Sequence, residues 1–346
     1  MMAKRARVVA EVPKKNNYFT SEKENIKFVS TGCAVLDCAL GGGFALGRTA
    51  NVVGDKSTAK TGTATEVMIN FCNQYPDQDG DIAYREAEAA WDNDYAAAMG
   101  LPVDKIDFGN PDQPIQTVED FIRDFKDFVE RQQKKKRPGV YILDSLDALS
   151  DDEEMENDIN KGTYGMAKAK KLSVLFRTIE QKQGKAQVLL LIISQVRDNI
   201  NAMAFGEKHR RSGGRALDFY ASQIVWLAHL KILNRTINKV ERPYGINLKA
   251  KVKKNKVGLP LREAEFSFLF GFGIADLEAS ASWLKEVGRL DAFNLKESDY
   301  KEYIKGVAEM SETEYQQERL VISVAVKQVW AEIETTFLPQ RRKYPT

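Results

Sequence analysis

Eight consecutive residues have the types and spacing of a phosphate-binding loop. They are Gly54, Asp55, Lys56, Ser57, Thr58, Ala59, Lys60 and Thr61. Their order matches the pattern G-x-x-x-x-G-K-[ST] except at Ala59, where a second glycine is usual. In such a loop, backbone N–H groups converge on phosphate oxygens, the lysine adds positive charge and the hydroxyl helps to hold Mg²⁺. Lys60 and Thr61 would supply the last two groups. A polar turn before a helix is the alternative interpretation.

Three further polar side chains follow segments that have the composition of buried strands. Glu88 comes soon after DIAY, Asp144 ends VYILD and Gln195 ends VLLLIISQ. Ligands of open α/β sheets bind outside the carboxyl ends of the strands, so these side chains are expected near the bound phosphates. We expect Glu88 to position an attacking water and Asp144 to hold Mg²⁺ through a water. For Glu88, a surface acid in a loop is the alternative.

The segments around these residues predict an α/β fold. A strand over 50–53 precedes the phosphate loop and a helix over 65–75 follows it, as the motif requires. The last three predicted strands follow one another without a helix, which indicates an antiparallel edge. The fold class is therefore α/β, with a mostly parallel twisted central sheet, flanking helices, antiparallel edge strands and a small helical C-terminal region. The other predicted elements are helices over 117–135 and 165–183 and strands over 81–84, 140–144, 188–193, 224–227, 247–253 and 264–270.

The charge and cysteine content exclude several classes of protein. The 346 residues include 51 Lys and Arg against 49 Asp and Glu, a net charge of +2, so any nucleic-acid surface must be a local patch. Three cysteines without C-x-x-C spacing argue against a disulfide framework and a zinc site. No apolar segment approaches the roughly 18 residues of a membrane span, and no signal peptide is visible. We therefore expect a cytoplasmic protein without a membrane partner.

Two irregular segments interrupt the predicted core. Residues 151–164 are polar, and residues 197–215 hold the densest basic cluster of the chain together with glycines and apolar residues. Loops of this length inside a compact domain are usually functional or disordered. The interleaved apolar residues make plain solvation a poor account of the second segment. By contrast, the basic residues 134–137 end a predicted helix, where cations are favoured, and we interpret them as a solvated helix end.

Seven segments of the chain, in this order, resemble the bacterial RecA recombinases and their phage relatives. They are STGCAVLDCALGGG, the phosphate loop, REAEAAWD, YILDSLDAL, IISQVRDNI, FGEKHRRSGGRALDFYAS and KVKKNKVGLPLREAEF. The resemblance extends from about Val29 to about Gly273, and the divergent loops are more similar to a phage-encoded version. It implies a RecA-type P-loop ATPase that forms a helical filament on single-stranded DNA, with ATP and Mg²⁺ between neighbouring subunits. Such filaments pair with homologous double-stranded DNA and exchange strands, aided by single-strand-binding or mediator proteins.

The resemblance repeats the phosphate, water-activating and metal roles given above and implies roles for four further side chains, of which Gln195 was named above as a residue at a strand end. Tyr95 stacks on adenine. Gln195 senses the γ-phosphate and relays its presence to the loop that follows. Lys254 and Lys256 reach the ATP of the neighbouring subunit and supply charge to its transition state.

The resemblance also implies that the two irregular segments bind DNA. Positive charge, glycine N–H groups and apolar side chains suit a filament that holds DNA backbones without reading sequence. Phe219 falls at a contact between subunits, with burial in the core as the alternative. The implied DNA-binding residues are Tyr164 in the first segment and Arg197, Ile200, Arg210, Arg211, Gly213, Gly214 and Arg215 in the second.

Some features depart from the RecA pattern. Ala59 would be strained by roughly 1–2 kcal/mol if its φ angle is positive, and Gly62 in the following helix costs up to about 1 kcal/mol relative to alanine. The N-terminal arm lacks the helical stripe of the family's protomer contact. The C-terminal part matches nothing in the family and could gate duplex DNA or bind another replication protein. The parts that we expect are a basic arm over 1–28, an ATPase and DNA-binding core over 29–273 and a mainly helical domain over 274–346.

Two other functions remain open from the sequence. Ala59 motivates a DNA-binding filament scaffold that binds nucleotide but hydrolyses it weakly. The superfamily also contains other motors, such as a hexameric helicase or a loader.

Overall fold

The computed structural model describes residues 26–77, 81–88, 91–150, 164–198, 209–211, 214–337 and 339. Its helices are α1 Ala34–Leu40, α2 Lys60–Gln74, α3 Asn93–Ala98, α4 Val118–Lys135, α5 Tyr164–Ala186, α6 Gly214–Tyr220, α7 Asp276–Glu286, α8 Tyr300–Val307 and α9 Glu312–Phe337. Its strands are β1 Phe28–Val29, β2 Phe44–Ala45, β3 Thr49–Gly54, β4 Ile82–Glu86, β5 Ile106–Asp107, β6 Gly139–Asp144, β7 Val188–Asp198, β8 His209–Arg211, β9 Gln223–Ile237, β10 Val240–Asn255, β11 Glu263–Leu269 and β12 Gly273–Ile274.

One sheet carries almost all of these strands. Its order is β12-β11-β10-β9-β3-β7-β6-β4-β5, and β8 pairs with β7 beside this path. The strands from β9 to β5 are parallel to their neighbours, whereas β9 to β12 are antiparallel to one another. The predicted α/β fold with a mostly parallel sheet and an antiparallel edge is confirmed.

The central strands are apolar on both faces because helices cover both sides of the sheet. In β7, Leu190 and Ile192 pack towards α4 and α5, whereas Leu189 and Leu191 pack towards α1, α2 and the C-terminal helices. Side chains that alternate along one strand therefore contribute to two separate hydrophobic layers.

Helix α4 lies within its predicted bounds. A capping box between Thr117 and Asp120 begins the helix, and Phe121, Phe125 and Phe128 surround the Tyr141 ring at 5.1 to 5.9 Å between centroids. The interpretation of residues 134–137 as a solvated end is only partly correct. Lys135 and Arg137 approach the buried Asp81 carboxylate at 2.7 and 3.8 Å.

The edge hairpin is longer than the sequence predicted. Strand β9 passes Leu227, the last residue paired with β3, by ten residues before it turns into β10. Beyond that residue both faces meet solvent, and Ile232 and Ile237 are 58% and 62% exposed. The predicted strands over 224–227 and 247–253 were too short because a strand that is wet on both faces has no apolar alternation to detect.

The C-terminal helices pack on the same hydrophobic layer as α1 and α2. Ile322, Val326 and Val329 of α9 are fully buried in it, and Arg319 of α9 pairs with buried Asp276 at 3.1 Å. The division into a core and a C-terminal domain at 273/274 stays a prediction. Residues 1–25 of the predicted arm lie outside the described residues. Among the helices that the structure describes, none has the length and apolar character to cross a bilayer.

Candidate active site

The predicted site residues meet because parallel strands bring their carboxyl ends to one edge of the sheet. Gly54, which ends β3, lies opposite Gln195 of β7 in register. Asp144, which ends β6, lies opposite Glu86, two residues before Glu88. Strand pairing alone therefore brings together the phosphate loop and the three polar residues predicted at strand ends.

The phosphate loop closes on the carbonyl group of Asp55. The Lys60 ammonium and the Thr58 hydroxyl donate to this oxygen at 2.7 and 2.8 Å. Ser57 and Ala59 have φ angles of 56° and 52°. Ala59 therefore has the positive φ angle on which the predicted strain depended. In this left-handed conformation its methyl group costs roughly 1–2 kcal/mol.

Lys60 is the cation at the centre of the site. Partial burial lowers its pKa, and the carboxylates of Asp144, Glu88 and Asp55 oppose that effect. A half-buried ammonium that is held among acids can bind an incoming phosphate without a large rearrangement.

Thr61 and Asp144 bring a hydroxyl group and a carboxylate together beside the phosphate loop. The Thr61 hydroxyl donates to Asp144 at 2.6 Å, and the Tyr84 hydroxyl donates to the same carboxylate oxygen at 2.9 Å. Burial raises the pKa of Asp144, and these two hydrogen bonds oppose the rise. A buried carboxylate beside a hydroxyl fits a hard cation that keeps water and phosphate ligands. Within the described ranges, no three or more His, Cys, Asp or Glu side chains form a metal cage, and Mg²⁺ bound in this way needs none.

Glu88 is held from two sides. The Gln195 side-chain amide donates to its carboxylate at 2.7 Å, and the Ser145 hydroxyl donates to the same oxygen. The Gln195 backbone N–H donates to Asp147 at 2.8 Å. Glu88 is exposed in the bend after β4, as the alternative of a surface acid in a loop has it, and it also belongs to a hydrogen-bonded group at the sheet edge. Its role with water stays a prediction.

A cavity of about 440 Å³ opens beside the phosphate loop. Tyr95, the residue predicted to stack on adenine, lies in its wall and accepts a hydrogen bond from the Gly271 N–H at 3.2 Å. Phe268 of β11 and Phe270, just after that strand, line it from another side. Flat apolar walls next to phosphate-binding groups suit a purine nucleotide. The lining residues are Ser57, Ala59, Thr61, Gly62, Thr65, Trp91, Asp92, Tyr95, Ala96, Ile246, Phe268 and Phe270.

Packing against Phe268 explains why a glycine stands at position 62 within a helix. A methyl group added there would overlap the Phe268 ring. The glycine in α2 therefore allows the cavity wall to approach the helix, which accounts for a residue that is otherwise unfavourable in a helix.

Lys254 and Lys256 lie away from the phosphate loop of their own chain. Lys254 donates to the carbonyl groups of Asp218 and Phe219 at 2.5 and 2.8 Å, and Lys256 donates to Phe219 at 3.4 Å. These carbonyls end α6, which lies at the start of β3 because the Ser222 N–H donates to Thr49 at 2.7 Å. The loop follows the other end of β3. The Phe219 side chain is 72% exposed, so the alternative of core burial is wrong.

The residues predicted to bind DNA lie partly within the described chain. Strands β7 and β8 pair so that Arg197 lies opposite Arg210, and Val196 lies opposite Arg211, which brings the two ends of the second irregular segment together. Tyr164 begins α5, and Gly214 and Arg215 begin α6. Ile200 and Gly213 lie outside the described residues, as do the side chains of these arginines and of Tyr164.

Sequence comparison agrees with this geometry. The family model for the RecA N-terminal domain matches residues 17–275. The chain belongs to the RecA family. Protein RecA of Synechococcus sp. (strain CC9902) is 30% identical over 268 residues, which are 78% of this chain and 66% of that protein. Protein RecA of Nostoc punctiforme (strain ATCC 29133 / PCC 73102) is 31% identical over 263 residues, 76% and 68% of the two chains. The aligned part thus spans about two thirds of these RecA proteins.

Sequence reasoning missed several residues of this RecA-family site. Trp91 and Asp92 stand in the segment REAEAAWD, but the segment gave no role for them. Ser145 follows the predicted metal ligand directly, which is a signal that could have been used. Phe268 and Phe270 lie in and just after β11, far along the chain, and no local pattern connects them with the phosphate loop.

Proposed function

We propose that this RecA-family protein is an ATP-dependent recombinase. It forms a helical filament on single-stranded DNA, pairs that strand with homologous double-stranded DNA and exchanges strands. One observation carries the proposal. The side chains expected to bind and cleave ATP meet at one edge of the sheet: Lys60, Thr61, Glu88, Asp144 and Gln195. Gln195 lies in the strand that leads into the basic segment. A site for ATP is thereby joined to a segment for DNA.

The nucleotide occupies the cavity and the phosphate loop together. Its base lies between Tyr95 and the phenylalanine wall, and the Asp92 carboxylate at the cavity edge is an acceptor for an amino group of the base. Lys60 binds the outer phosphates. Thr61 and, through water, Asp144 would hold Mg²⁺. The ion, when bound, offsets the negative charge of the phosphates.

Hydrolysis depends on the residues that hold Glu88. Its carboxylate accepts a proton from the attacking water, and Ser145 keeps it oriented. Gln195 changes partner: its side-chain amide leaves Glu88 for an oxygen of the γ-phosphate. The strand end then moves with the phosphate, so that ATP favours one arrangement of the following loop and ADP another.

Assembly completes the site. Lys254 and Lys256 lie at the opposite end of the strands from the phosphate loop, separated from it by about 10 Å along β3 and by two strand spacings of about 4.8 Å. A lysine side chain does not span this path within one subunit. The lysines therefore act on the ATP of a neighbouring protomer, next to a contact formed by exposed Phe219.

The remaining assignments follow from this function. Residues 29–273 form the ATPase and DNA-binding core, residues 274–346 a helical C-terminal domain and residues 1–28 an arm that contacts another protomer in the filament. The two DNA-binding segments hold DNA backbones by charge. The activity belongs in the bacterial cytoplasm, where the DNA lies, and mediator proteins assist loading. Phage origin stays a prediction.

A strand-exchange assay with ATP hydrolysis measured in parallel tests the proposal. We expect the wild-type protein to exchange strands and Glu88→Gln to bind ATP and DNA while hydrolysis falls by about 100-fold or more. Glu130→Gln on the exposed face of α4 is the matched control and should hydrolyse normally. The proposed function would be excluded if neither the wild-type protein nor Glu88→Gln paired homologous DNA. It would also be excluded if electron micrographs with ATP and single-stranded DNA showed closed rings instead of filaments.

A further inference from the structure

Helix α9 carries a second apolar face that nothing in the described structure covers. Its inner face is buried, with Ile322, Val326 and Val329 fully enclosed. On the outer face, Leu320, Val321 and Val324 are 70%, 59% and 65% exposed. Single exposed apolar residues are ordinary, but three on adjacent turns of one helix form a contact surface.

Acidic side chains lie next to this apolar patch. Residues 306–318 include Glu309, Glu312, Glu314 and Glu318 and no lysine or arginine. Three of these acids line a groove of about 410 Å³ between α8 and the start of α9. Spacing by three and four residues places Glu314, Gln317, Val321 and Val324 on one line along the helix. We call this line, with its flanking Leu320 and Glu318, the α9 stripe.

We propose that the α9 stripe binds the N-terminal segment of the same molecule, residues 4–15. That segment has the complementary order: Lys4, Arg5 and Arg7 precede the apolar residues Val8, Val9 and Ala10. Cations would lie against the acidic groove while valines cover the apolar patch. This contact belongs to the unassembled protein and is separate from the protomer contact expected of the arm in a filament.

The tether is short enough for this contact. The described chain begins at Ile26, and the carbonyl group of Gly32 accepts a hydrogen bond from Arg319 of α9 at 3.5 Å. Val9 is 17 residues before Ile26, a separation that reaches up to about 55 Å when extended. Exposed ion pairs are individually weak, but a tether of this kind gives an effective concentration in the millimolar range.

Other occupants match the stripe less well. The last residues of the chain are basic, but they leave α9 at Phe337, about 20 Å beyond Val324 along the helix axis, and must turn back. A second α9 would bring acidic ends into contact in a parallel pair. In an antiparallel pair it would offer each acidic end Lys327 beside uncharged Gln328, which is fewer cations than residues 4–7 carry.

Disulfide trapping in the full-length protein tests the proposal. Val9→Cys with Val321→Cys is compared with Val9→Cys with Val174→Cys, because Val174 is a similarly exposed valine on α5, on the other face of the sheet. After mild oxidation, peptide mass spectrometry identifies the linked cysteines, including the natural ones. We expect the 9–321 disulfide to form within monomers and about tenfold faster than the 9–174 disulfide.

Charge reversal separates a docked segment from random collision. Arg5→Glu with Arg7→Glu should remove the tenfold advantage, and adding Glu309→Lys with Glu318→Lys should restore it. Lys14→Glu with Lys15→Glu makes the same charge change further from the valines and should slow trapping less. Equal rates for the two disulfides, or trapping that is insensitive to Arg5 and Arg7, overturns the proposal. Disulfides that form only between copies would assign the stripe to a second molecule and overturn the proposal. Disulfides that form only after removal of residues 339–346 would assign the stripe to the C-terminal residues and also overturn the proposal.

Discussion

The Gln195 side-chain amide donates a hydrogen bond to the Glu88 carboxylate at 2.7 Å. Glu88 is the acid expected to activate water, and Gln195 lies in the strand that enters the basic segment. One amide group therefore connects the acid expected to activate water with the part of the chain expected to hold DNA. This connection provides a physical route by which DNA binding could change ATP turnover.

Removal of that amide should uncouple the two events. In Gln195→Ala we expect DNA-stimulated ATP turnover to fall by about tenfold, within the range of typical coupling energies, and turnover without DNA to change little. Steady-state ATPase assays with and without single-stranded DNA measure both rates. Gln181→Ala, an exposed glutamine of α5, is the control. Unchanged stimulation in Gln195→Ala would exclude Gln195 as the connection.

The contact between Gly62 and Phe268 predicts an effect on nucleotide affinity. In Gly62→Ala the added methyl group displaces the Phe268 ring from the cavity wall. We expect the Kd for ATP to rise about tenfold, equivalent to about 1.4 kcal/mol, and stability to fall by about 1–3 kcal/mol from overpacking. Calorimetric titration and chemical unfolding measure the two effects. At Gly306 in α8 an added methyl group meets nothing within 4 Å, so Gly306→Ala should leave ATP affinity intact; equal loss in both variants contradicts the account.

The left-handed conformation of Ala59 predicts a stabilising substitution. Ala59→Gly relieves the strain at φ 52° and should raise the free energy of unfolding by about 1 kcal/mol after the entropy of glycine in the unfolded chain is included. Ala331→Gly, at an exposed position inside α9, should lower it by about 1 kcal/mol. We expect no gain in ATP turnover from Ala59→Gly. A large gain would instead favour the scaffold with weak hydrolysis.

Buried Glu66 predicts a pH-dependent stability. Burial raises its pKa from 4.5 to about 7, although the Ile274 N–H donates to it and Arg319 lies nearby. Folding therefore favours the protonated acid, and this contribution to stability is present below pH 4.5 and is lost as the pH rises through about 7. Glu66→Gln should be more stable than the wild type by about 1–3 kcal/mol at about pH 8 and nearly equal to it at about pH 4.5.

Chemical unfolding at several pH values measures this difference. Comparison of variant with parent at each pH removes the contributions of the other acids. Glu302→Gln, at an exposed position of α8, is the matched control. A constant difference between Glu66→Gln and the parent across this range would mean that Glu66 does not titrate as its burial requires.

The sequence predicted those parts of the site that depend on local order. The phosphate loop, Asp144 and Gln195 each follow an apolar strand, and the pairing of parallel strands then requires them to meet. The base cavity could not be predicted in this way, since Phe268 and Phe270 approach α2 only through the antiparallel edge. Their alternation reveals a strand, but it does not reveal which helix the strand covers.

Two further differences have similar reasons. The outer part of the β9–β10 hairpin has no buried face, so its sequence lacks the apolar alternation that identifies a strand. Exposure of Phe219 could not be read from its type, because an aromatic residue before Tyr220 suits a core as well as a contact between protomers. Residues at protomer contacts resemble core residues in composition, and only the folded surface separates them.

The measurement that tests the central claim most directly is ATP turnover with and without single-stranded DNA, with Lys60→Ala as the inactive reference. The account predicts turnover that rises on addition of single-stranded DNA and is absent in Lys60→Ala under both conditions. Equal wild-type turnover with and without DNA would contradict it.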